Sequence, residues 1–223
     1  MNWSPILISM RTASVSILFT FFLGLFTARW VAGMKNKWSK IIWDGLFTLP
    51  LVLPPTVVGF FLLFIFGANR PVGRFFLEFF SVRIAFSWVA TVLAAVVISF
   101  PLMYRSARGA FEQVDENLAY AARTLGMSER RIFWTVTLPT ALPGVAAGGV
   151  LAFARGLGEF GATAMIAGNI AGRTRTLPLA VYSSTVGGDM QAAYFYVVVI
   201  MAVSFVVVAL MNYFSLGGRR AGG

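Results

Sequence analysis

Long apolar stretches separated by short polar segments make up most of the chain. Several of them reach about 20 residues, the length that an α-helix needs to cross a hydrocarbon core about 30 Å thick. We predict five transmembrane helices, at about residues 6–31, 44–66, 84–104, 140–160 and 192–214. The predicted fold is therefore that of an all-α polytopic membrane protein, with residues 1–223 forming a single transmembrane domain.

The longest polar interruption is a loop predicted at 105–139, and its second half has the pattern of a helical hairpin. Asp115 is placed to cap a helix, because its carboxylate can accept hydrogen bonds from unpaired backbone amides. Apolar residues follow at helical spacing, and then Gly126 stands where a residue with positive φ ends a helix. Ser128 is placed to cap a second helix that re-enters the membrane at Pro139. The alternative is an ordinary surface helix between two spans.

The second predicted span contains Pro50, Pro54 and Pro55, so it is expected to kink or unwind near Pro54. Backbone groups freed at membrane depth are tolerated where they face protein or a water-filled cavity. Pro54 and Pro55 are therefore candidate residues of a movable, pathway-lining helix, and a static kink needed for packing is the alternative.

The fourth predicted span carries Arg155 and Glu159, four residues apart on one helical face. Either charge alone is costly in lipid, but at this spacing the two can neutralise each other. The pair is a candidate gate that lines the route or latches the outer end of a dimer. A self-compensated pair near the membrane interface, with the arginine reaching water, is the alternative.

The distribution of basic residues predicts the orientation of the helices. The net charge is +10, and the basic residues are concentrated in the segments after the first, third and fifth spans, so these face the cytoplasm. The N-terminus is then outside and the C-terminus, with Arg219 and Arg220, inside. Ala162–Ile170 is too short to span and is predicted to be re-entrant or interfacial. Beyond it, outer-loop Arg173 and Arg175 either meet an anion or the acidic rim of a delivery protein, or are simply solvated.

Composition excludes most enzyme chemistry. Hydrophobic residues make up 58% of the chain and charged residues 12%, whereas soluble domains are about a quarter charged. The sequence has no cysteine and no histidine, and its dispersed carboxylates lack metal-ligand spacing, so we predict no metal site and no bound cofactor. It also lacks a Gly-x4-Gly-Lys-Ser/Thr phosphate loop, so ATP hydrolysis by that route is excluded. Since loop charges follow the orientation rule, nucleic acid is not a predicted partner.

The hairpin segment resembles the cytoplasmic coupling motif of ABC-transporter membrane subunits of the bacterial importer class. That motif runs Glu-Ala-Ala, three residues, Gly, nine residues and Ile-x-Leu-Pro, and every spacing is kept here. Tyr120 stands for the usual Glu and Val136 for Ile. The resemblance implies that the ATPase-coupling residues are Tyr120, Ala121, Ala122, Gly126, Leu138 and Pro139.

Other stretches, such as Leu49–Gly59, Leu151–Thr163 and Gly172–Tyr182, are similar to the molybdate/tungstate permease family, with sulfate/thiosulfate permeases as near neighbour. The resemblance implies a type I ABC importer permease fold and a non-enzymatic permease homodimer in the lipid of a bacterial inner membrane. It also implies two cytoplasmic ATPases that use ATP and Mg, and an extracytoplasmic oxyanion-binding protein. The expected function is ATP-driven import of a tetrahedral oxyanion, molybdate or tungstate, by alternating access. The rivals are a sulfate/thiosulfate ABC permease and an ion-coupled secondary transporter, whose usual inverted repeats do not stand out in this sequence.

Overall fold

The computed structural model describes residues 2–219, and the side chains of residues 2–211, as a helical protein. Arg220, one of the predicted inner-side charges, lies outside the described residues, as does the side chain of Arg219. The first helices are α1 (Ser4–Ala32), α2 (Lys37–Val52), α3 (Pro55–Phe66), α4 (Pro71–Phe80), α5 (Trp88–Glu112) and α6 (Glu116–Thr124). There follow α7 (Glu129–Ile132), a π-helical segment (Phe133–Thr137), α8 (Leu138–Leu157), α9 (Gly161–Ala167), α10 (Leu177–Val186) and α11 (Met190–Arg219).

Within the described residues, four continuous helical stretches are long and apolar enough to cross a membrane. They are α1, α5, the run Glu129–Leu157 and Met190–Met211 of α11. Helices α2 and α3 meet the same criterion only together, as a span bent by 109°, which brings the number to five as predicted. Helix α5 runs past the predicted end of the third span at residue 104, and α2 begins before the predicted start of the second span at residue 44. A helix can continue past its apolar run, because long charged side chains near its end can still reach water. The prediction was too long at two other ends, since α5 begins at Trp88 rather than at residue 84 and α8 ends at Leu157 rather than at residue 160.

The core is formed where α1 and α8 pack along α5. Hydroxyl groups pair across the α1–α5 contact at two heights. Thr12 Oγ1 lies 2.9 Å from Thr91 Oγ1, and Thr20 Oγ1 lies 3.1 Å from Ser99 Oγ. All four side chains are buried. Interhelical hydrogen bonds therefore add to the apolar packing of Leu25 on α1 and Met103 on α5, as is common where lipid surrounds a bundle.

The predicted break in the second span is confirmed. Helix α2 ends at Val52, Leu53 and Pro54 are extended, and α3 begins at Pro55. The cause is local, because a proline disfavours helical backbone in the residue before it and has no N–H to donate. Beyond the break, α3 packs against α9 so closely that a Cβ on Gly59 would lie 2.7 Å from the Ala162 Cα.

The segments predicted as irregular contain three short helices. Helix α4 lies in the predicted loop 67–83, while α9 and α10 lie between the fourth and fifth spans. Helix α9 has only seven residues and ends at Ala167, where Gly168 has a φ of +70°. At 1.5 Å per residue it is about 10 Å long, so it is too short to span a membrane. It is nevertheless buried, packed against α3 and α5, and the expectation that this piece is re-entrant or interfacial stays a prediction.

Candidate coupling surface and pathway elements

Helix α6 is defined by the caps that the sequence predicts. Asp115 Oδ1 accepts the backbone N–H of Asn117 at 2.9 Å. At the other end, Gly126 has a φ of +75° and donates to the Arg123 carbonyl at 2.9 Å. The Met127 N–H donates to the Ala122 carbonyl at 3.2 Å, which completes a Schellman turn. A nine-residue helix is marginal alone, so these end contacts and packing determine where it begins and ends.

An ion pair bridges the turn between α6 and α7. Arg123 spans the glycine turn and contacts Glu129 through two bonds, Nε to Oε1 at 2.5 Å and Nη2 to Oε2 at 3.1 Å. The hydrogen bond to Glu129 raises the pKa of the Arg123 guanidinium, which therefore stays charged. Ser128 Oγ accepts the Arg131 N–H at 3.4 Å, as predicted for the cap of α7. Exposed pairs of this kind contribute little stability, so the caps of α6 and α7 account for more of the turn than this ion pair does.

The residues of the predicted coupling motif separate into an exposed group and a packed group. Tyr120, Ala121 and Gly126 are exposed on α6 and its turn, beside Leu125, which is 80% exposed. Ala122 is buried against the protein itself. We call the exposed set of Tyr120, Ala121, Leu125 and Gly126 the α6 surface. It combines apolar and small side chains in a region that is otherwise charged.

Leu138 and Pro139 lie at the start of α8 and do not belong to the α6 surface. Leu138 is half-buried and packs on the core cluster that includes Phe133. Pro139 has no N–H for the preceding turn, and the backbone before it widens into the π-helical segment, where the Leu138 N–H donates to the Phe133 carbonyl. Phe133 is held in turn by Phe111, with ring centroids 5.7 Å apart, and by the guanidinium of Arg29, 3.8 Å above its ring. These contacts anchor the hairpin to α1 and α5.

A polar cluster next to the hairpin was missed by sequence reasoning. Glu112 at the end of α5 accepts from Lys40 at 2.9 Å and from Arg108 at 3.0 Å. Arg108 also pairs with Asp44, which accepts a 3.1 Å hydrogen bond from the Tyr104 hydroxyl. The available signals were the i, i+4 spacing of Tyr104, Arg108 and Glu112 and the acidic residue at the start of an apolar span. Two of the carboxylates considered dispersed in the sequence, Asp44 and Glu112, are thus joined through Arg108 and Lys40 into a link between α2 and α5.

The predicted pair of Arg155 and Glu159 forms, with Nη1 and Oε2 2.7 Å apart. Helix α8 ends at Leu157, however, so Glu159 lies in the turn after the helix rather than within the fourth span. Gly158 is the C-cap residue and ends the helix before Glu159. The carboxylate is 2% exposed, and its other oxygen accepts the Ala162 N–H at 2.8 Å, which caps α9.

The two sets of candidate pathway residues converge on α9. Pro55, at the start of α3, packs against Gly161, where an added Cβ would lie 3.0 Å from the Pro55 Cβ. Gly161 comes two residues after Glu159, whose carboxylate joins α8 to α9. The break at Pro54 and the Arg155–Glu159 pair therefore meet at the first turn of the same short buried helix.

Five spans, a broken second span and a capped helical hairpin before the fourth are the features of a type I ABC importer permease. A chain of the MetNI methionine ABC transporter in an inward-facing conformation has this fold, with a TM-score of 0.74 at 16% identity, over 96% of this chain and 94% of that one. Residues 20–217 match the model of the family described as binding-protein-dependent transport system inner membrane components. The chain belongs to this family of multi-pass inner-membrane permeases.

Named relatives are similar over most of the chain. The molybdenum transport system permease protein ModB of Escherichia coli (strain K12) is 47% identical over 194 residues, which are 86% of this chain and 84% of that protein. The putative molybdenum transport system permease protein YvgM of Bacillus subtilis (strain 168) is 39% identical over 205 residues, 92% of this chain and 90% of that protein. The predicted family and fold are confirmed.

Proposed function

We propose that this chain is the membrane-spanning subunit of an ATP-driven molybdate importer. The similarity to relatives named as molybdenum permeases, which extends over most of both chains, carries the proposal. Tungstate has the same tetrahedral shape and charge, so it is expected to share the route. Family membership favours an ATP-driven importer over the ion-coupled secondary transporter.

A separate cytoplasmic ATPase, using ATP and Mg, drives transport by docking on the α6 surface. The support for this is the kept motif spacing, together with the exposure of Tyr120, Ala121 and Gly126 on a helix capped at both ends. Leu138 and Pro139 act indirectly, because they fix the start of α8 and so the position of the hairpin. ATP can shift the permease between inward- and outward-open states only through its different affinity for the two states. The hairpin is the contact through which ATP binding to the ATPase changes the state of the permease.

The α6 surface faces the cytoplasm, with the N-terminus of the chain outside and the C-terminus inside. Basic residues are dense at the same end of the bundle as α6, for instance Arg29 at the end of α1 and Lys40 at the start of α2. Retention of positive charge on the cytoplasmic side supports this orientation. The functional unit is a permease homodimer in lipid, served on its outer side by an oxyanion-binding protein. The broken span at Pro54 and Pro55, with Arg155 and Glu159 at the same first turn of α9, forms the moving part of the pathway.

Uptake of radiolabelled molybdate into proteoliposomes tests the function. The vesicles contain the permease, its ATPase and its binding protein, with ATP inside or outside. Uptake is expected to require ATP on the side that the α6 surface faces and to stop with vanadate. Uptake driven by an ion gradient without ATP would show a secondary transporter instead. Stronger uptake of sulfate than of molybdate, with the matching binding protein present, would show a sulfate permease.

A further inference from the structure

A cavity of about 640 Å³ lies at the end of the bundle opposite the α6 surface. It is bounded by the first turns of α1, the start of α5 at Trp88 and the turn after α9 at Gly172. From Trp88, α5 runs 25 residues before the hairpin segment, which is about 37 Å at 1.5 Å per residue. The cavity and the α6 surface are therefore separated by a full membrane thickness.

Three arginines from three separate segments line this cavity: Arg11, Arg83 and Arg173. No carboxylate lines it, and none of the ion pairs among the described side chains includes any of the three. At the other end of α5, by contrast, Arg108 is neutralised by Asp44 and Glu112. Like charges that share a recess repel one another, so a bound anion would lower the free energy of this arrangement.

The guanidinium of Arg11 is held at the cavity by an aromatic neighbour. Its Cζ lies 4.1 Å from the centroid of the Trp88 ring. The indole is itself fixed, because Trp88 Nε1 donates to Thr12 Oγ1 at 3.0 Å. A guanidinium stacked on an aromatic face keeps its N–H groups in the plane of the group, where they are available to an oxyanion.

The wall of the cavity contains a strained residue. Phe86 has a φ of +59°, a backbone conformation that is unfavourable for a bulky residue. Its N–H donates to the Ile166 carbonyl at 2.9 Å, which ties the entry of α5 to the end of α9. Strain of this kind persists where the surrounding structure fixes it, and it is frequent at ligand sites. Here it places Phe86 in the lining between α5 and α9.

We propose that this outer cavity is a binding site for a tetrahedral oxyanion, built by Arg11, Arg83 and Arg173. The identity of the oxyanion rests on the proposed function, which makes molybdate the probe. The site is a recess with apolar and aromatic walls at Phe86 and Trp88, so it suits a small dianion better than a flat protein contact. Because it lies on the side away from the ATPase, it would be the first site that an anion contacts on entering the permease.

Equilibrium dialysis of radiolabelled molybdate tests the site. The full chain is placed in nanodiscs of zwitterionic phosphatidylcholine without the binding protein. Wild type is expected to bind saturably and more weakly as salt increases. Arg83→Gln is expected to weaken binding roughly tenfold or more, as for the loss of one charge-assisted hydrogen bond. Arg74→Gln is the matched control, since it removes a charge from neighbouring α4 outside the cavity, and it should change affinity less than about twofold.

Three outcomes would overturn the proposal. In the first, binding is not specific to the three arginines. Wild type then binds no more molybdate than a variant with all three changed to glutamine, or Arg74→Gln weakens binding as much as Arg83→Gln does. In the second, anionic phosphatidylglycerol in the nanodiscs abolishes wild-type binding, which would assign the cavity to a lipid headgroup. In the third, Arg83→Gln leaves molybdate affinity unchanged but lowers the stimulation of ATPase activity by the binding protein, which would assign it to partner docking.

Uptake by the complete wild-type transporter separates this proposal from the proposed function. ATP-driven molybdate uptake without molybdate binding in nanodiscs would refute the site alone. Absence of ATP-driven molybdate uptake in wild type would refute the function itself. Elution of each variant as a monodisperse species in complex with the ATPase shows that a lost binding signal is not caused by misfolding.

Discussion

Substitutions at Gly126 separate two reasons for a glycine at this position: the positive φ of the turn, and a surface without a side chain for the ATPase. Its φ of +75° is unfavourable for residues with a side chain, yet a Cβ added there would meet nothing within 4 Å inside this chain. The folded-state cost of alanine is therefore purely conformational, about 1–2 kcal/mol. Asparagine adopts this backbone region more readily, so it should cost less than alanine. Proline should cost most, because its fixed negative φ is incompatible with the turn and because it removes the N–H that bonds to Arg123.

If the turn geometry positions the α6 surface, the affinity of the ATPase should follow this conformational order. Alanine should weaken binding by roughly 5- to 30-fold, asparagine by less, and proline should abolish capture of the ATPase. The assay is titration of fluorescently labelled ATPase onto the permease in nanodiscs. Gly109→Ala is the matched control, since Gly109 is helical with open space around it, and it should bind normally. Weaker ATPase binding by the asparagine variant than by the alanine variant would refute this reasoning. Side-chain size rather than φ would then determine the affinity, which would show that the ATPase requires a glycine surface without a side chain.

Three further predictions concern packing and charge, each measured as the free energy of unfolding in detergent. Gly59→Val should destabilise by about 1–3 kcal/mol because its Cβ would overlap the α9 backbone, whereas Gly45→Ala, in open space, should not; equal effects would contradict this packing. Arg155→Gln should lower the free energy of unfolding by about 1–3 kcal/mol, because it leaves the Glu159 carboxylate, which is 2% exposed, without its charged partner. Glu159→Gln should lower it by less, because the Arg155 side chain is 31% exposed and can be solvated. The reverse order would contradict the pair geometry. Glu112→Gln should cost less than about 1 kcal/mol and still less at high salt, since its side chain is 43% exposed; a larger, salt-independent loss would indicate a structural role.

The features that were predictable from the sequence are those that depend on residues close together in the chain. Asp115 begins α6 and Gly126 ends it, through bonds to backbone groups two and three residues away, so the local sequence is enough to predict the helix. The break at Pro54 has the same local origin, since proline restricts its own backbone and that of the residue before it. The Arg155–Glu159 contact also follows from a spacing of four.

The features that were missed depend on residues far apart in the chain. Lys40 and Glu112 meet only because α2 packs beside α5, and no local pattern pairs them. Arg173 was noted in the sequence as a candidate anion contact, but its neighbours Arg11 and Arg83 come from two other segments. The position of Glu159 beyond the end of α8 was also missed, because Gly158 ends the helix within an otherwise continuous apolar run.

The hydroxyl pairs between α1 and α5 limit how the protein can change shape. Thr12 with Thr91 and Thr20 with Ser99 bond the two helices at points eight residues apart along each. Sliding one helix past the other by a single residue, about 1.5 Å, would shear both bonds and leave four buried hydroxyls without these partners. We therefore expect the two helices to move together during transport. Bending is then expected at the proline break and around α9, which it contacts.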